Sequence, residues 1–264
     1  MTDTNEMNDA SGAPAGAGHG GPKVALVTGG NKGIGLEVAR QLASLGMTVM
    51  LAARDPHRCE EAVALLRKED LDVHPVILDV TDQASVSAAA EQVAERPGRL
   101  DVLVNNAGIS GGLFHLPSKA DLDVVRQVFE TNLFGVISVT NAMLPLLRRS
   151  PAGRVVNVTS GTASLAQMSD PDLPMANLPP AAAYPASKSA LNMLTIQYAK
   201  ELRPEGILVN AAAPGACDTD LIKGVPMKIT RTAAQGAAII VHLATLGPDG
   251  PTGAYLHDDG PVPW

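Results

Sequence analysis

Lys23-Val-Ala-Leu-Val-Thr28 runs directly into Gly29-Gly30-Asn31-Lys32-Gly33-Ile34-Gly35. The first six residues are a nearly continuous apolar run, the mark of a strand buried on both faces. Beyond the glycines, Val38, Leu42 and Leu45 recur at helical spacing, and Gly46 stands where a left-handed residue ends a helix. Strand, glycine loop and helix together aim backbone N–H groups and a positive helix end at a phosphate. A Cβ in that loop would hold the backbone away from a pyrophosphate, so the glycines carry the reading.

The same alternation continues along the chain. Strands are expected at 47–53, 73–78, 100–104, 154–159, 207–212 and 254–256, with helices between them. Asp55 before Pro56, Asp82, Ser118 with Asp121, and Thr232 with Gln235 read as helix starts. A helix from there to about Arg149 contains Asn132, and another ends near Leu246 with Gly247 as its stop. A long proline-rich loop spans 161–183. The pattern predicts an α/β fold, a single-domain doubly wound parallel sheet of about seven strands. Residues 1–22 lack bulky apolar side chains and are expected to be a disordered tail without the regions of a signal peptide.

The 264 residues suit one α/β domain. A net charge of -7 argues against nucleic acid or an anionic membrane as partner. Cys59 and Cys217 form no C-x-x-C, which predicts no metal site and suits a cytoplasmic setting. No apolar run approaches the roughly 18 residues a membrane span needs.

In a doubly wound sheet the ligand sits beyond the carboxyl ends of the strands. Asn31 and Lys32, Arg54, Asp79, Asn105, Ser160 and the run from Pro214 to Asp220 fall there. Tyr184 and Lys188 lie four apart at the head of an apolar-periodic segment, so they share one helical face. A phenol titrates near 10, and a neighbouring ammonium would lower that value toward useful acid/base work.

These motifs together resemble the short-chain dehydrogenase/reductase family, in particular its carbonyl-reductase-like branch. Thr28 to Gly35 matches T-G-x-x-x-G-x-G, Asn105-Asn106-Ala107-Gly108 matches N-N-A-G, and Asn132, Ser160, Tyr184 with Lys188, and Pro214-Gly215 with Thr219 follow in order. The resemblance covers roughly 23–260. It implies an oxidoreductase in which Tyr184 exchanges a proton with a carbonyl or alcohol oxygen. Ser160 positions that oxygen, Lys188 lowers the Tyr184 pKa and binds the nicotinamide ribose, and Asn132 supports a water relay. It implies cofactor contacts from Gly29, Asn31, Lys32, Gly33, Ile34, Asp79, Val80, Asn106, Ala107, Gly108, Pro214, Gly215 and Thr219.

Ala53 stands where the family's discriminating carboxylate would be. Arg54, Lys32 and Arg58 would instead make an anion pocket for the 2′-phosphate of NADPH/NADP+. If the register slips by two, Asp55 takes the ribose and NAD is the cofactor. The resemblance thus implies an NADPH-dependent carbonyl reductase, with an NAD-linked alcohol dehydrogenase or a silent dinucleotide-binding regulator as alternatives. The partner is a small-molecule carbonyl or alcohol, with monomer or homo-oligomer open. Residues 168–180 are expected to form an insertion at the mouth of the site. Leu113, Phe114, Leu165, Met168, Leu221 and Met227 either line the pocket or serve as ordinary packing. Cys217, where a branched aliphatic is usual, and Pro185, in a first helical turn, depart from the family pattern without altering the chemistry.

Overall fold

The computed structural model of the chain describes residues 21–112, 115–223 and 229–264. The expectation for 1–22 falls outside these except for Gly21 and Pro22, whose carbonyls accept hydrogen bonds from Arg99. Leu113, Phe114 and Met227 also lie outside the described residues.

Strands β1 (Val24–Thr28), β2 (Thr48–Ala53), β3 (Val73–Ile77), β4 (Val102–Asn105), β5 (Arg154–Val158), β6 (Leu208–Ala212), β7 (Tyr255–His257) and β8 (Gly260–Pro261) form one sheet in the order β3-β2-β1-β4-β5-β6-β7-β8. The first seven are parallel. β8 is a two-residue antiparallel addition to β7, one strand beyond the expected number. The central strands β1, β4, β5 and β6 are buried along their whole length, which is why they are mostly apolar; their polar members Asn105, Arg154, Asn157 and Asn210 are buried and hydrogen-bonded. β3 lies at the edge, exposes His74 and Ile77, and tolerates Pro75 there.

Helices α1 (Gly33–Ser44), α2 (Pro56–Arg67) and α8 (Ala233–Ala244) cover one face of the sheet. Helices α3 (Gln83–Glu95), α5 (Gly135–Leu147) and α7 (Tyr184–Leu202) cover the other. Leu42, Leu51 and Ile240 anchor the first core, and Leu26, Leu103 and Leu202 the second. Fully burying one such side chain contributes about 1.5–3 kcal/mol.

The caps at Asp55, Asp82 and the Thr232–Gln235 capping box form as expected. Three expectations are corrected. Ser118 lies in a separate 3-10 turn, and Asp121 alone caps α4 (Leu122–Phe129) through the Asp123 N–H. The helix expected from there to Arg149 is interrupted by a π-helical turn at Glu130–Phe134 before α5 begins. α8 ends at Ala244 with Thr245 as its cap, so Gly247 is not its stop. The 161–183 loop is also more ordered than its prolines suggest. It holds α6 (Leu165–Ser169) and 3-10 turns at Gly161–Ala163 and Pro174–Asn177.

Candidate active site

The strand order reverses at β1, which has β2 on one side and β4 on the other, and this opens a crevice at the carboxyl ends. The glycine loop sits there. Gly29 and Gly33 have left-handed φ of 63° and 57°. A Cβ on Gly35 would fall 2.4 Å from both the Gly29 carbonyl oxygen and Asn106 Nδ2, so this position requires glycine. Asn106 Nδ2 donates to the Thr28 and Gly29 carbonyls, at 2.9 and 3.1 Å, and locks the loop to the end of β4. Asn105 instead bridges Thr140 and Asn157 and braces the sheet.

Helices α2, α3, α4, α6 and α8 begin with a side-chain cap, whereas α1, like α5 and α7, has none. Its first-turn N–H groups and dipole end therefore face the crevice without an anionic side chain. A glycine cradle under an uncapped helix start fits a dinucleotide pyrophosphate.

The remaining expected cofactor residues ring the same crevice, but some are already engaged. Lys32 Nζ lies 2.7 Å from Asp220 Oδ2, so it bridges the crevice instead of joining Arg54. Asp55 accepts from the Arg58 N–H at 3.0 Å as the α2 cap. Arg58 lies exposed, 3.9 Å from the Asp55 carboxylate. Arg54 is exposed beyond β2 and has no ion-pair partner among the described residues. Asp79 feels burial, which raises its pKa, but the two Thr81 hydrogen bonds win and hold it below the ordinary carboxylate value. Val80 is buried beside Gly135. Thr219 lies against the side of Gly33 where a Cβ would project.

Tyr184, Lys188, Ser160 and Asn132 converge beyond β5. Lys188 is buried, and its Nζ donates to the Val158 carbonyl at 2.9 Å. Asn132, in the π-helical turn, is fully buried. It accepts from the Ile109 N–H and donates to the Ile109 carbonyl and to Ser187 Oγ, at 2.9, 2.9 and 3.1 Å. A Cβ on Gly108 would lie 3.2 Å from Asn132 Oδ1 and 3.5 Å from Lys188 Nζ, so this glycine leaves room beside both side chains. Ser160 and Thr159 diverge as alternation requires. Thr159 is buried with its hydroxyl on the Lys188 carbonyl, while the Ser160 hydroxyl bonds Thr162 Oγ1 at 3.0 Å, accepts from the Thr162 N–H at 3.3 Å and lies within reach of the Tyr184 phenol.

Burial dominates the electrostatics of both Tyr184 and Lys188. Burial pushes the phenol up to about 12, and the Ser160 hydroxyl supplies the counteracting pull. The ammonium faces the Val158 carbonyl, stands 5.9 Å from the Tyr184 ring centroid, and is itself pushed down to about 8 by burial. The arrangement is thus a phenol kept protonated beside an amine that titrates near neutrality.

Part of the 168–180 stretch reaches the segment after Ser160. Met175 packs on Gly161, where a Cβ would meet its Cε at 2.9 Å. Leu165 is 70% exposed and lies on the surface, not in a lining. Sequence reasoning missed three contributors. Ser187 links Asn132 to the Tyr184 carbonyl. Arg231 donates to the Pro214 carbonyl at 2.7 Å and lies against Gly215. Tyr255 donates to the Ser160 carbonyl. Only Tyr255 carried a signal, as one of three tyrosines placed in a short strand next to β6.

Residues 23–229 match the family model described as short chain dehydrogenase. A Penicillium roqueforti short-chain dehydrogenase, anuI, is 40% identical over 235 residues, covering 84% of this chain and 88% of the relative. Human carbonyl reductase [NADPH] 1 is 34% identical, with 92% of this chain and 99% of the relative covered. Among solved structures, NADPH-bound carbonyl reductase from chicken fatty liver superposes with a TM-score of 0.80 at 31% identity, covering 92% of this chain and 99% of that one. Salutaridine reductase from Papaver somniferum superposes with a TM-score of 0.75 at 30% identity, covering 89% and 99%.

Proposed function

The chain belongs to the short-chain dehydrogenase family, and from that premise we propose that it is an NADPH-dependent oxidoreductase reducing a ketone or aldehyde carbonyl to an alcohol. The observation that carries this reading is the meeting of a protonated phenol, Tyr184, with the Ser160 hydroxyl beside the uncapped glycine loop. The NADPH named for the human and chicken relatives supports the cofactor.

NADPH supplies the hydride when bound. Gly29, Asn31, Gly33 and Ile34 would take its pyrophosphate at the start of α1, and Arg54 its 2′-phosphate. Lys32 would join Arg54 on leaving Asp220. Asp79 and Val80 would border the adenine, and Asn106, Ala107 and Gly108 the adjoining ribose. Pro214, Gly215 and Thr219 would hold the carboxamide, and Lys188 the second ribose. Asp55 is occupied as a helix cap, which speaks against the alternative NAD reading.

The chain's own chemistry is proton transfer. Ser160 donates a hydrogen bond to the substrate carbonyl oxygen and fixes it beside Tyr184. Tyr184 gives its phenolic proton to that oxygen as negative charge develops there. A pKa near 12 keeps the proton on the phenol until then. Lys188, titrating near 8, returns a proton to the phenolate. Asn132 holds the backbone at Ile109 beside Lys188 and supports the relay.

The test is NADPH consumption by the purified protein across a panel of ketones and aldehydes, together with titration by NADPH and NADH. Carbonyl-dependent NADPH oxidation that vanishes in Tyr184→Phe is the expected result. A tighter complex with NADH would overturn the role given to Arg54.

A further inference from the structure

The centre described above accounts for Tyr184, Ser160, Lys188 and Asn132. It leaves unexplained why a segment almost a hundred positions away is fastened to the residues around Ser160. β7 and β8 form a hairpin that turns residues 262–264 back across the sheet, with the Val262 N–H on the Tyr255 carbonyl at 2.8 Å. Three contacts then reach the 160–166 segment. Tyr255 Oη donates to the Ser160 carbonyl at 2.5 Å. Ser164 Oγ donates to the Pro263 carbonyl at 2.5 Å. The Ala166 N–H donates to the Trp264 carbonyl at 3.1 Å.

The Trp264 ring stacks on Tyr255, with centroids 5.1 Å apart and planes inclined by 29°. Tyr255 is 2% exposed and Trp264 is 38% exposed, so the indole is a lid on the phenol. On its other side the Tyr255 hydroxyl borders the Asn192 amide, a buried group without a hydrogen-bond partner of its own. The phenol is therefore confined between an indole, an amide and a peptide carbonyl. That carbonyl belongs to Ser160. The same hairpin carries Asp258, which pairs with Arg231, the residue bonded to the Pro214 carbonyl. One element thus touches both loops that flank the reacting centre.

We propose that Trp264 and Tyr255 form a clasp that sets the position of Ser160, making Tyr255 a positioning residue for carbonyl reduction and Trp264 the group that holds it in place. The proposal rests on the reductase reading for its kinetic consequence, but its structural content stands independently. A small displacement of the Ser160 peptide swings its hydroxyl away from the substrate oxygen, and misplacements of about 1 Å cost up to about a hundredfold in rate. Tyr255 and Trp264 themselves bond neither the glycine loop nor Arg54, and the Asp258–Arg231 link to the Pro214 loop does not pass through them, so loss of the clasp acts on turnover and not on dinucleotide affinity.

The experiment compares wild type with Tyr255→Phe, Trp264→Ala and Trp264→Phe. Tyr255→Phe retains the stacked ring and removes only the donor to Ser160. It is expected to lower kcat by about tenfold, with NADPH affinity and thermal midpoint unchanged. Trp264→Ala is expected to lower kcat similarly with NADPH affinity unchanged and a small fall in thermal midpoint from the lost stack, and Trp264→Phe to restore most of the loss by restoring the stack. Unchanged kcat in Tyr255→Phe and Trp264→Ala overturns the clasp. A kcat loss that tracks a parallel loss of NADPH affinity and thermal midpoint also overturns it, because that is general destabilisation. If wild type reduces no carbonyl, the reductase reading falls, and amide hydrogen exchange at residues 161–166 decides the clasp by itself. Faster exchange there in Trp264→Ala upholds it, and unaltered exchange refutes it.

Discussion

Lys188 Nζ donates to the backbone carbonyl of Val158 at 2.9 Å, which ties the first turns of α7 to the end of β5. The bond satisfies part of a buried ammonium but supplies no negative charge, so burial still disfavours the charged form.

That imbalance has a measurable sign. The folded-state pKa is about 8, against 10.5 for an ordinary lysine. Between those values the unfolded chain binds the proton that the folded chain has released, so this group makes stability rise with pH across that window. Lys188→Met is expected to be more stable than wild type at neutral pH, by on the order of 3 kcal/mol, and to lose activity. Denaturant titrations of both proteins across the window should show the advantage shrinking as pH rises. Tyr184 acts in the opposite sense at higher pH. Its folded pKa of about 12 exceeds the ordinary 10, so stability falls as pH climbs through that interval.

Ser160→Ala removes a hydroxyl, together with its bonds to Thr162, and retains the carbonyl that accepts from Tyr255. A single lost donor to a developing oxyanion costs about 10²–10³ in turnover. The expected result is that loss in kcat with NADPH binding intact, read from steady-state rates beside a fluorescence titration.

Arg54→Ala tests the end of β2. Removing a charge-assisted contact costs about 1.5–3 kcal/mol, so NADPH is expected to bind at least about tenfold more weakly with the NADH constant unmoved. Isothermal titration with both dinucleotides would reveal this split. An equal weakening of both would assign Arg54 to general attraction and not to phosphate recognition.

Gly35→Ala forces a methyl against the Gly29 carbonyl oxygen, a backbone atom that cannot swing aside. The expected cost is on the order of 1–3 kcal/mol in stability, accompanied by loss of dinucleotide binding. Differential scanning fluorimetry with and without NADPH reads both effects in one experiment.

Most of the sheet was legible because its central strands are buried on both faces and therefore mostly apolar, as Val24–Thr28 illustrates. Caps at Asp55, Asp82 and Thr232 were legible because capping is local. The π-helical turn at Glu130–Phe134 left no trace in a sequence that continues the helical pattern on both sides. The helix at Leu165–Ser169 depends on Ser164 as its cap and on contacts from residues 263–264, and only the first of these is local. Lys188 and Tyr184 were placed correctly on one helix, but spacing along a helix does not report desolvation. Burial raises the phenol pKa, a contribution that the spacing did not show. The ion pair of Lys32 with Asp220 was not legible, because the two lie far apart along the chain.

The reversal of strand order between β1 and β4 divides the coding sequence as well as the sheet. Everything proposed to discriminate one dinucleotide from another lies before β4, and everything proposed to move a proton lies after it. A chimaera joined between α3 and β4 would therefore exchange coenzyme preference between relatives and leave the reacting groups untouched. The seam that such a graft must match is the packing of Val38 and Leu42 against Ala237 and Ile240.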